Sequence, residues 1–86
     1  MPRKRTLFQQ VVEKSASRET RREAVRELGR IGAVEQLRTL TQANGIDGPL
    51  RRAAVSELEE LGATEALEMI SESRAVDPAI REQAQL

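Results

Sequence analysis

The chain has no cysteine, histidine, tyrosine or tryptophan, and Phe8 is its only aromatic residue. Without cysteine there is neither a disulfide framework nor a thiolate metal site. Without histidine the usual proton shuttle at neutral pH is missing, and no imidazole can activate a serine or threonine nucleophile. A lone aromatic ring leaves almost nothing for nucleic-acid bases to stack on. No apolar run approaches the roughly 18 residues a membrane helix needs, and nothing resembles a signal peptide, so a soluble cytoplasmic protein is expected. Glu59 and Glu60 are adjacent, which on a helix turns them about 100° apart and away from a shared substrate. Glu57, Glu65 and Glu68 offer carboxylates without the converging loop that hard cations prefer. These absences predict no enzyme, no cofactor and no metal.

What the chain does have is a period. Shifted by thirty, Thr20–Asp47 falls on Leu50–Asp77 without a gap, and eleven of the twenty-eight positions are identical, among them Arg21/Arg51, Val25/Val55, Leu28/Leu58, Gly32/Gly62, Leu37/Leu67 and Asp47/Asp77. Ile31/Leu61, Leu40/Ile70 and Ile46/Val76 keep their character. A fixed period of this size marks a stacked array of helical units that bury a common core only through their neighbours.

Each unit reads as two helices. Thr20, Ala24, Val25, Leu28 and Ile31 recur at spacings of three and four, along one side of a helix, and Leu50, Ala54, Val55, Leu58 and Leu61 repeat the pattern. Gly32 and Gly62 follow the last apolar position and suit a left-handed helix end. Second helices are predicted at about 34–43 and 64–73, turning Leu37, Leu40, Leu67 and Ile70 inward. Ser17, Asp47 and Asp77 are N-cap residues thirty apart, the last followed by Pro78 at the first helical position. An apolar face at Leu7, Phe8, Val11 and Val12 places one more helix at 6–14. The division is a basic tail at 1–5 and a single domain at 6–86, made of a half unit 6–16, full units 17–46 and 47–76, and a half unit 77–86, with about five helices in all. Truncated ends of that kind would expose Leu7, Val11, Ile80 and Ala84, which motivates a possible homodimer.

The pattern R-x-A-V-x-x-L-x-x-I/L-G-A-x-E-x-L, with an Asp and an apolar-Arg pair opening the next unit, resembles the short HEAT-like repeats of phycobilisome lyases and of many scaffold proteins. The resemblance runs from about Thr6 to Leu86. It implies an all-α, right-handed α-solenoid of helical hairpins whose second helices line a concave side. It also implies a ladder of polar contacts between units, made by Arg21, Arg51 and Arg81 with Asp47 and Asp77. In such repeats an Asp usually caps the second helix; Ala33 and Ala63 stand there instead, so those helix starts should be less firmly capped.

Function is read from the same register. Rows along the second helices hold Phe8, Arg38 and Glu68; Gln9, Thr39 and Met69; Arg5, Glu35 and Glu65; and Val12, Gln42 and Glu72. They vary in chemistry where the core rows do not. Phe8, Arg38, Glu68 and Met69 are the candidate protein-binding residues, expected to be solvent-accessible on one side. Net charge is zero, but residues 1–43 hold ten Lys/Arg against five Glu, and residues 44–86 hold four Arg against nine Asp/Glu. The basic Pro2-Arg3-Lys4-Arg5 start invites nucleic acid, yet the acidic second half would repel phosphate. The expected function is a non-enzymatic protein-binding module or assembly scaffold. An accessory subunit or fragment of a bilin-attachment system is the alternative that the family resemblance implies.

Overall fold

The computed structural model describes residues 3–43 and 45–85, which hold six α-helices and no strand. They are α1 Arg3–Val12, α2 Arg18–Arg30, α3 Val34–Gln42, α4 Gly48–Glu60, α5 Thr64–Glu72 and α6 Pro78–Ala84. The expectation of about five is one short, because each end contributes a whole helix beside the four of the middle. The first helix also begins earlier than the reading at 6–14. Arg3, Lys4 and Arg5 are good helix formers and join α1 rather than forming a tail. Met1, Pro2 and Leu86 lie outside the described residues.

Local chemistry sets the helix boundaries. Ser17, Asp47 and Asp77 each cap a first helix, their side-chain oxygens accepting from the backbone N–H of Thr20 at 3.1 Å, Leu50 at 3.3 Å and Ala79 at 2.8 Å. At the other end of α2 and α4 the chain turns through Gly32 at φ 71° and Gly62 at φ 65°. The Ala33 N–H donates to the Leu28 carbonyl and the Gly32 N–H to that of Gly29, and Ala63 and Gly62 do the same to Leu58 and Glu59. This is the Schellman closure, and it needs the left-handed residue that glycine supplies without a Cβ penalty. The N-caps of α3 and α5 are Ala33 and Ala63, with no side-chain cap bond.

The turn geometry also corrects the apolar stripe. Ile31 and Leu61 are 36% and 39% exposed, not inward, because the Schellman turn rolls them out and draws Ala33 into the core instead. Thr20 is exposed as well, its hydroxyl accepting a bond from Ser17 Oγ at the cap.

The helices pack in two rows. α2 lies against α4 and α4 against α6; α3 lies against α5; and α1, α3 and α5 each pack closely on the helix that follows. The core between the rows is aliphatic, with Val25, Leu28, Leu37, Leu40, Val55, Leu58 and Ile70 fully buried and Ile46 and Val76 contributed from the connections. Close pairing at both ends overturns the expectation of open apolar faces. Leu7 is 7% exposed, Val11 0%, Ile80 1% and Ala84 1%, covered within one chain by α2 at one end and α5 at the other. The apolar motive for a homodimer disappears with them.

Candidate protein-interaction grooves

Two grooves run along the α1, α3 and α5 row, and their common wall is Glu35. The first, of about 290 Å³, lies between α1 and α3 and is lined by Arg5, Phe8, Glu35, Gln36 and Thr39. The second, of about 440 Å³, lies between α3 and α5, with Val34, Glu35 and Arg38 on one side and Ala66 and Met69 on the other. Thr39, which lines the first groove, donates its hydroxyl to the Glu35 carbonyl at 2.9 Å.

The four candidate residues are not equivalent. Met69 is 51% exposed and walls the second groove; it is the large apolar side chain most open to a partner. Phe8 is half-buried, packs against the core, and gives the first groove its apolar wall. Arg38 departs from the expectation of a freely exposed side chain. Its guanidinium donates to Glu35 Oε1 at 2.7 Å, and its Nε is buried with no hydrogen-bond partner among the described residues. Glu68 is exposed but lines neither groove. Val34, Gln36 and Ala66 are groove residues that the row reading did not single out; the Gln36/Ala66 register pair was the available signal.

Charge changes along the row. The sequence of α1 carries Arg3, Lys4 and Arg5 and no acid, whereas α5 carries Glu65, Glu68 and Glu72 and no base. A segment lying across both grooves therefore meets a positive end, a Glu35–Arg38 ion pair in the middle and a negative end.

The arginine ladder takes another form. Arg21 Nε donates to the Val11 carbonyl at 2.7 Å, tying α2 to the end of α1. Arg51 and Arg81 are half-buried with their Nε atoms unpartnered among the described residues. Asp47 and Asp77 serve as caps, and Asp47 also meets Arg18 at 3.5 Å. No Arg21, Arg51 or Arg81 ion pair with these aspartates occurs among the described residues; Arg21 commits its Nε to the Val11 carbonyl, and the arginine that meets Asp47 is Arg18.

Two glutamates on the outer row have distinct environments. Glu57 lies over Gly29, where any Cβ would fall on its carboxylate; burial, reinforced by nearby Glu60 and opposed by Arg26, pushes its carboxyl up from the usual range. Glu27 accepts both Arg30 Nε and Nη2 at 3.0 Å, and this pairing holds the Arg30 guanidinium above its ordinary value.

Among the described residues no three acidic, His or Cys side chains converge as a metal site would require. None of the described helices is long and apolar enough to cross a membrane. No family model matches this sequence, and no curated protein or solved structure matches it either.

Proposed function

We propose that the chain is a short right-handed α-solenoid of HEAT-like hairpins that acts as a non-enzymatic protein-binding module or assembly scaffold. Its α1, α3 and α5 row is the working face and takes an extended peptide or a helix. The observation that carries this reading is the pair of adjoining grooves that share Glu35, each with one large apolar side chain, Phe8 or Met69, beside polar groups. Apolar anchors ringed by polar side chains are the usual composition of a recognition surface. Helices at a thirty-residue offset, with matching caps and turns, support the solenoid arrangement.

The test is photocrosslinking in the native cell from a photoreactive residue at position 69, followed by affinity measurement on the captured partner. Phe8→Ala and Met69→Ala should each weaken it by about 1–2 kcal/mol, as interface anchors do. A captured protein whose affinity ignores both changes would move the site off this row. Capture of a chromophore-bearing protein would instead support the bilin-attachment role.

A further inference from the structure

The outer row carries a second, chemically different site. Between α4 and α6, Gln83 fills the junction: its Nε2 donates to the Arg52 carbonyl at 3.2 Å and lies 3.4 Å from Ser56 Oγ. Thirty residues earlier, between α2 and α4, the register puts Ala53 in place of Gln83, and Arg22 and Arg26 in place of Arg52 and Ser56. The space that an amide occupies in one junction is therefore open in the other. A cleft of about 430 Å³ lies beside it, lined by Arg22 and Arg26 of α2, by Pro49, Arg52, Ala53, Ser56 and Glu57 of α4, and by Gln83 of α6.

All three arginines are exposed, and none forms an ion pair among the described residues. Arg22 and Arg26 are one helical turn apart on α2, and Arg52 of α4 lines the same cleft, a set of guanidinium forks suited to a multidentate oxyanion. The one carboxylate in the lining is Glu57, so the cleft holds a net charge of +2. A phosphate monoester carries about −1.5 to −2 at pH 7, which balances it. No aromatic ring lines the cleft, so a nucleobase has nothing to stack on.

We infer that the Arg22, Arg26 and Arg52 cleft binds a phosphoryl group presented on a protein segment. The phosphate oxygens accept from the three guanidinium groups, and the peptide backbone runs along the groove between α2 and α4. This site lies on the other row of helices from the Phe8 and Met69 grooves and does not depend on them.

The test is an NMR titration of the full chain with a short phosphoserine peptide, its unphosphorylated counterpart, inorganic phosphate, and a short single-stranded DNA, all at fixed ionic strength. The phosphopeptide should give saturable shifts at residues 22, 26, 49–57 and 83, and the unphosphorylated peptide none. Arg22→Gln with Arg26→Gln should weaken binding by at least about tenfold, the loss expected for a charge-assisted hydrogen bond. Ala53→Gln is the decisive variant. It refills the slot as Gln83 does, leaves every charge in place, and should block the phosphopeptide while the melting temperature holds or rises. Binding that survives Ala53→Gln, or shifts without saturation by about 10 mM peptide, would overturn the site. Inorganic phosphate binding as tightly as the peptide would overturn the peptide source, and tighter DNA binding would overturn it in favour of nucleic acid.

Discussion

Replacing Gly62 by alanine isolates what the left-handed turn contributes to stability. Gly62 sits at φ 65°, where the Cβ of an L-residue crowds the following carbonyl at a cost of about 1–2 kcal/mol. A Cβ built there meets nothing within 4 Å, so no packing clash adds to that figure. Alanine also narrows the unfolded ensemble, which returns about 0.4–1 kcal/mol. The net expectation is a loss of about 1 kcal/mol, or a fall in Tm of about 4–8 °C for a domain of this size. Gly62→Asn should lose less, since asparagine tolerates this region, and Gly62→Val should lose more than about 1 kcal/mol. Gly48→Ala is the control: it lies in the first turn of α4 without a positive φ, and a Cβ added there meets the Arg52 guanidinium at 3.5 Å, an ordinary contact. That variant should hold or raise the midpoint. The Gly32→Ala, Gly62→Ala double change acts on separate turns and should cost about 2 kcal/mol by additivity. Urea and thermal unfolding of the series decide it, and a Gly62→Ala protein as stable as Gly48→Ala would refute the Schellman assignment.

Three other outcomes follow from contacts described above. Arg21→Met should cost about 1.5–3 kcal/mol, because it removes a charge-assisted bond to the Val11 carbonyl, whereas Arg51→Met, whose Nε has no such partner, should cost clearly less; equal urea midpoints would refute the distinction. Because the Glu57 carboxyl titrates higher in the folded chain than in the unfolded one, its ionisation opposes folding above the folded value, and this penalty vanishes below the unfolded value. Glu57→Gln should therefore gain stability over the parent at neutral pH and lose that advantage on acidification, and a pH-independent difference would contradict this. Gly29→Ala should realise more of its helix-propensity gain of about 1 kcal/mol when Glu57→Ala removes the overlying carboxylate, although the residue-57 Cβ stays 3.1 Å from the new one, and a double-mutant cycle reads this coupling directly.

Features written in a few neighbouring residues were legible from sequence. The caps at Ser17, Asp47 and Asp77 and the turns at Gly32 and Gly62 each depend on one side chain, or the lack of one, and on backbone within three or four residues. Features that depend on a distant partner were not. Leu7 and Ile80 looked uncovered because periodicity gives each helix an apolar face without saying which neighbour closes over it. Arg21 recurs every thirty residues and is expected in a ladder with the aspartates, but its acceptor is a backbone carbonyl, which has no signature in the side-chain pattern. Of the candidate site, the rows of Phe8 and Met69 were accessible to register counting. The depth of Arg38 was not, since its burial comes from packing around α3 rather than from its place in the row.

The thirty-residue offset between matching caps and turns bears on how such a chain can change over generations. Asp47 and Asp77 present the same chemistry to the helix that follows, and the turns at Gly32 and Gly62 close in the same way. An in-frame duplication or deletion of one such stretch would join a helix start to an equivalent helix start, leaving each junction with the neighbours it already accepts. On the proposed solenoid reading, length becomes a quantity this sequence could alter in whole steps by unequal recombination, while substitutions at Ala53 or Met69 would act on the two proposed sites.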